Sequence, residues 1–107
     1  MSNIADINKL HQLYDTYREL LTSKQQEYFH YYYFEDLSLA EISQNLGVSR
    51  NAVHSNIQNT IKLLKKYELY LNILDDNEMI YNELNALKNK YKINDDDLKK
   101  IFERLNK

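Results

Sequence analysis

Apolar positions along this chain recur at three- and four-residue steps, the spacing of one helical face. Ile7, Leu10, Tyr14, Tyr17 and Leu21 form a first stripe, widened by Ile4, Leu13 and Leu20, with Lys9, Asp15, Arg18 and Glu19 lying off it. This predicts an amphipathic helix over residues 3–21. Thr22 and Gln25 then make a capping-box pair at the head of a second helix, which carries Tyr28, Phe29, Tyr31, Tyr32, Tyr33 and Phe34. Phe29, Tyr32 and Tyr33 fit one inward face with Tyr28 beside them, leaving Tyr31 and Phe34 nearer the rim. Such a cluster either packs a core with its hydroxyls at the surface or offers rings on which bases or a partner stack. Glu35 and Asp36 close this helix, and Leu37 and Leu39 turn back towards the core.

The stretch from Ser38 to Ile57 has the most local detail. Ser38 can cap a short helix, with Glu41 three residues on in the capping-box position. Leu39, Ile42 and Leu46 give that helix its apolar face. Gly47, the only glycine in the chain, supplies the left-handed backbone that a sharp helix stop requires. Ser49 can cap the next helix, whose inward face carries Val53, Ile57, Ile61 and Leu64. Ala40 and Ala52 are small where two helices would approach closely. Two caps around one glycine predict a helix-turn-helix, with its core over residues 22–66.

Beyond the motif the helical pattern continues without a stop signal to Leu74, which predicts a second motif helix of roughly 25 residues. Asp75-Asp76-Asn77 is the next candidate break, because all three are poor helix-interior residues. Tyr70, Ile73, Asn77, Ile80, Leu84, Leu87 and Tyr91 nevertheless keep a four-three alternation through it. Either one long helix bends there or two helices share a face. The stripe suits an intramolecular partner or the seam of a homodimer, with Asn77 as a polar register residue. Asn94 before Asp95-Asp96-Asp97 is a cap followed by acids that the helix dipole favours. Leu98, Ile101, Phe102 and Leu105 then mark a short terminal helix. The expected architecture is all-α: one domain over residues 1–107, with residues 70–107 as a helical extension of the motif.

Composition supports this picture. The chain has 107 residues, 43 % of them hydrophobic and 28 % charged, with no proline and no cysteine. That is enough for one modest core. Disulfides, thiolate metal sites and cysteine nucleophiles are excluded. No apolar run approaches the ~20 residues of a membrane span, and the opening residues, Met1 to Asp6, lack the basic-then-apolar order of a signal peptide. A cytoplasmic protein is the expectation.

Charge changes the picture more. The net charge is −2, but residues 45–67 hold Arg50, Lys62, Lys65 and Lys66 and no acid, while the segments on either side are both net acidic. The one cationic stretch coincides with the second motif helix. With Val53 and Ile57 inward, its outward face carries Arg50, Asn51, His54, Ser55 and Gln58, where helix-turn-helix proteins present base-reading side chains. Arginine can hold guanine bidentately, and asparagine or glutamine can hold adenine. Ser49, Asn59 and Lys62 are placed for phosphates, together with the helix N-terminus. The other reading is a solvated polar face on a protein-interaction module.

Other chemistry finds little purchase. His11, His30 and His54 fall on three different helices, without ligand spacing. The run Asp95–Asp97 lacks the glycine and the distant glutamate of a calcium loop. No phosphate-binding glycine loop, nucleophile elbow or zinc-protease helix is present. The expectation is a non-enzyme that needs no cofactor.

Three stretches carry a family resemblance: Leu21-Thr22-Ser23-Lys24-Gln25-Gln26-Glu27, then Tyr33 to Ile42, then Gly47-Val48-Ser49-Arg50-Asn51-Ala52-Val53. Together they resemble region 4 of bacterial sigma factors and, more closely, the small YlxM family of helix-turn-helix proteins from low-GC Gram-positive bacteria and mollicutes. The similarity continues through Asn56-Ile57, Thr60, Lys62-Leu63-Leu64, Tyr67-Glu68 and Leu71. It implies an all-helical regulator linked to the signal recognition particle pathway. His54 and Ser55 stand where family members carry tyrosine and aspartate, and Gln58 and Asn59 stand where they carry a Lys-Arg pair. Two functions follow as expectations. One is a regulator contacting DNA or the particle's RNA through Ser49, Arg50, Asn51, His54, Ser55, Gln58 and Lys62. The other is an interaction module that modulates the particle's GTPase without binding DNA.

Overall fold

The structure, a computed structural model, describes residues 4–105. Every regular element among them is helical: α1 (Ile4–Tyr17), a 3-10 turn (Arg18–Leu20), α2 (Ser23–Tyr33), α3 (Leu39–Leu46), α4 (Arg50–Leu71), α5 (Ile73–Tyr91) and α6 (Asp95–Leu105). The all-α expectation is met. Asn3 at the predicted start of the first helix, the first residues of the signal-peptide reading, and Asn106 and Lys107 of the predicted extension lie outside the described residues. The chain forms two compact units, one ending at Tyr70 and the other beginning at Leu71.

In the first unit, α1 buries Leu10, Leu13, Tyr14 and Tyr17. Its α-helix stops at Tyr17, earlier than the sequence pattern predicts. The tighter 3-10 turn that follows rotates the register, so that Leu21 is buried and Leu20 faces solvent. Ile4, in the first turn, is also exposed. Thr22 and Gln25 form their reciprocal capping box, at 3.1 and 2.9 Å. Within α2, Tyr28 and Phe29 are the buried rings, whereas Tyr32 is exposed rather than inward. The core draws on the 28–29 edge of the helix: Tyr28 packs with Ile42, Val53 and Ile57, and Tyr31, Tyr33, Leu37, Leu39, Leu46, Val48 and Ile61 close around them. On the other side, Phe29 stacks on Tyr14 with ring centroids 4.5 Å apart, and Phe34 lies between His11 and His30. Burial raises the Tyr14 and Tyr33 phenols above their ordinary value. For Tyr14 the Arg18 charge opposes this and Asp15 adds to it; for Tyr33 the neighbouring Tyr32 adds to it.

The predicted length of the second motif helix needs correction. α4 ends at Leu71, not Leu74, and the break is at Asn72, not at Asp75-Asp76-Asn77. Asn72 adopts the left-handed conformation, φ 52° and ψ 28°, which asparagine tolerates better than most residues with a side chain. Its carboxamide donates to the Asp76 carboxylate at 3.0 Å. Asp75 and Asp76 thereby become first-turn residues of α5, where the helix dipole favours acids, and Lys88 and Lys90 occupy its last turn. Lys92 closes α5 in a left-handed cap, and the Ile93 N–H reaches back to the Lys88 carbonyl at 3.0 Å. Asn94 caps α6 as expected, accepting from the Asp96 N–H at 3.0 Å. Within this second unit, Tyr81 meets Phe102 edge to face at 5.0 Å, and Lys88 pairs with Asp95. No residue of α5 or α6 is fully buried.

Candidate nucleic-acid interface

The helix-turn-helix is assembled by short-range bonds that its sequence specifies. Ser38 accepts from the Glu41 N–H at 3.0 Å, and the Glu41 carboxylate accepts from the Ser38 N–H at 3.0 Å. Hydrogen bonding of the Glu41 carboxyl to Ser38, chiefly to its backbone N–H and then to its side chain, holds it below the ordinary carboxylate value. α3 stops at Gly47, φ 67°. The Val48 N–H then reaches the Ser43 carbonyl at 3.2 Å, a six-to-one bond that satisfies an end-of-helix carbonyl. A Cβ added at Gly47 would meet nothing within 4 Å. The glycine is therefore needed for its backbone angle, not for space. The Ser43 hydroxyl also donates to the Val48 carbonyl, which ties the turn to α3. Nothing in the sequence marks this clasp, because a serine inside a helix looks the same whether it faces water or a turn.

Ser49 caps α4 by accepting from the Ala52 N–H at 3.0 Å, and its carbonyl accepts from the Val53 N–H at 3.1 Å. The first-turn N–H groups that neither bond uses belong to Arg50 and Asn51. Val53, Ile57, Thr60 and Leu64 are buried along one side of α4. Thr60 is buried completely, while Ile61 is only half-buried at the edge of the core. Thr60 can replace an apolar residue there because its hydroxyl donates to the Asn56 carbonyl, one turn back, at 2.9 Å. Ala52 is exposed and so does not line a close helix contact; Ala40 is half-buried. Farther along, the buried Tyr17 hydroxyl of α1 donates to the Glu68 carboxylate, and Tyr17 packs against Tyr67 at 6.0 Å. α4 is thus anchored near both ends.

All seven sequence-predicted residues are solvent-exposed: Ser49, Arg50, Asn51, His54, Ser55, Gln58 and Lys62. From Arg50 to Lys62 they share an arc of about 140° on α4, centred away from the buried row, and extend over roughly 20 Å. Lys65 falls within the same arc, and Lys66 and Asn59 border it; all three are exposed. The face therefore offers an arginine, carboxamides, hydroxyls, an imidazole and lysines, with no carboxylate among residues 45–67. Among the described residues, no group of three or more His, Cys, Asp or Glu could hold a metal ion, and no helix is long and apolar enough to cross a membrane.

A capped helix, a glycine turn and a second helix with one buried and one polar face define a helix-turn-helix protein. The model of the UPF0122 family, described as "Putative helix-turn-helix protein, YlxM / p13 like", matches residues 4–104, and the chain belongs to that family. It is 40 % identical over 101 residues to a UPF0122 protein of Listeria welshimeri, covering 92 % of each chain. A UPF0122 protein of Pediococcus pentosaceus is 39 % identical over 103 residues, or 94 % of this chain and 91 % of the relative. One from Streptococcus gordonii is 45 % identical over 73 residues, or 68 % of this chain and 66 % of the relative.

Proposed function

We propose that this protein is a regulator of the signal recognition particle pathway that contacts nucleic acid, duplex DNA or the particle's RNA, through the outward face of α4. The observation that carries this reading is the two-sidedness of α4. Val53, Ile57, Thr60 and Leu64 fix it to the core, while Arg50, Asn51, His54, Ser55, Gln58 and Lys62 are all exposed, with no acid among residues 45–67. The secretion pathway is what the family resemblance implies. Arg50, Asn51 and Gln58 are suited to base edges. Ser49, Lys62 and the first-turn N–H groups are suited to phosphates. Four cations give a salt slope of roughly −3 to −4, and modest affinity for a single copy.

A second reading, a protein contact that modulates the particle's GTPase, is favoured by Leu69 and Tyr70 near the end of α4, which are 76 % and 74 % exposed. Fluorescence anisotropy against labelled duplex DNA, particle RNA, the GTPase and the RNA–GTPase complex separates the two. The nucleic-acid reading predicts binding at low salt that R50A and K62A each weaken. Unchanged anisotropy with both nucleic acids would rule it out. Binding to the GTPase alone, with an altered GTP hydrolysis rate, would establish the second.

A further inference from the structure

We infer that α5 is the seam of an antiparallel homodimer, so that the partner fitting this surface is a second copy of the chain. The seam involves α5 and α6 only and is independent of whether α4 binds nucleic acid.

Ile73, Asn77, Ile80, Leu84, Leu87 and Tyr91 repeat at alternating four- and three-residue steps along α5, the pattern of a helix that packs lengthwise against another. α6 takes one flank of that stripe, through Tyr81 with Phe102 and Lys88 with Asp95. The other flank carries Ile80, Glu83, Leu87 and Lys90, all exposed, and Tyr91 at the end of the stripe is 63 % exposed. A helix of this length presents a seam of about 28 Å. Exposed aliphatic residues in register over that distance mark a covered face.

Charge decides what covers it and in which sense. The acids of α5 are Asp75, Asp76, Glu78 and Glu83, and its bases are Lys88 and Lys90, followed by Lys92 at the cap. The helix is acidic in its first half and basic in its last turn, in line with its dipole. A parallel pair would set each charge beside its own copy. An antiparallel pair sets the acidic half of each helix against the basic end of the other, and the two dipoles also oppose. With Ile80 layered on Leu84 of the second copy, symmetry makes that contact twice about a two-fold axis. The same register brings Asp76 beside Lys90 of the second copy, again twice. Glu83 meets its own copy at the axis, a like-charge contact that sets a limit on the affinity.

The test uses the full chain. Sedimentation equilibrium at micromolar concentration is expected to give twice the 12.9 kDa chain mass. I80D combined with L87D is expected to raise the dissociation constant a hundredfold or more, to about the monomer limit, with an unchanged far-ultraviolet helical spectrum because both side chains are exposed. D76K and K90D are each expected to weaken the dimer about tenfold, and their combination to restore it; E83Q is expected to tighten it. The chain has no cysteine, so single replacements report the sense directly. E83C should oxidise readily to a disulfide-linked dimer, and D76C should not. A monomer throughout, or a dimer indifferent to I80D/L87D, would overturn the seam. Efficient self-crosslinking of D76C, or no restoration by the charge swap, would overturn the antiparallel sense.

Discussion

The two units of this chain are both helical, but they differ in how their helices are held. In the first, every helix contributes to a buried core: Leu13, Tyr17, Phe29, Ile42, Val53, Ile57 and Leu64 are almost wholly removed from solvent. In the second, α5 and α6 bury no residue completely, and Ile80, Leu87 and Ile101 remain 43–47 % exposed. The first unit has the composition of a small self-sufficient core. The second has the pattern of a packed helix pair without enough mass to bury it. Apolar periodicity alone therefore tells which face a helix offers and not whether its own chain fills that face. That difference underlies the reading of α4 as a fixed platform and of α5 as a surface that a second copy completes.

The largest expected effect tests the contrast directly. Ile42→Ala removes a fully buried side chain from the motif core and should cost about 3 kcal/mol in urea unfolding. Ile80→Ala should cost less than about 0.5 kcal/mol in dilute solution, where only the single chain is populated. Its effect should grow with protein concentration, because it acts on assembly. Equal losses at both positions, independent of concentration, would remove the distinction between the units.

A middle-sized effect sharpens the account of the turn. Gly47→Ala meets no steric obstacle, so it should cost only the left-handed strain, about 1 kcal/mol. A cost of several kcal/mol in the same unfolding experiment would mean that the site is crowded.

The smallest effect is a pH dependence. Glu41 holds its carboxyl below the ordinary 4.5, so the folded state binds that proton less readily than the unfolded chain. Its contribution is complete above pH 4.5 and is lost as pH falls through the lowered folded value. Unfolding midpoints measured across the acid range should fall less for E41Q than for the wild type. The two raised phenols have the opposite sign. Raised in the folded state, Tyr14 and Tyr33 contribute fully below pH 10.0 and lose that contribution as pH rises through their folded values.

The parts of the fold legible in the sequence are those specified by local bonds. Ser38 with Glu41, Thr22 with Gln25, Asn94 with the acids after it, and Gly47 each encode a cap or stop within a few residues, and each forms as read. The places that read differently depend on longer-range choices. Leu20 points outward because a 3-10 turn precedes the second helix, and nothing in the apolar spacing encodes that turn. Tyr32 and Tyr28 differ in burial because α3 packs against one edge of α2, which periodicity cannot choose among six aromatic residues. Asp75 and Asp76 resemble helix breakers, but acids at a helix start look the same in sequence. The break falls one turn earlier, on the backbone of Asn72. Of the interface, the outward polar row of α4 followed from Ser49 and the inward Val53 and Ile57. Thr60 in the buried row and the Ser43 clasp did not, since each depends on a hydroxyl finding a carbonyl close by.

The most direct test of the α4 interface is the salt dependence of nucleic-acid affinity for the wild type and for R50A/K62A. A slope of log affinity against log salt of roughly −3 to −4, falling by about 2 units in the double variant, is the predicted result. A slope near zero, or the same slope in both proteins, would contradict it.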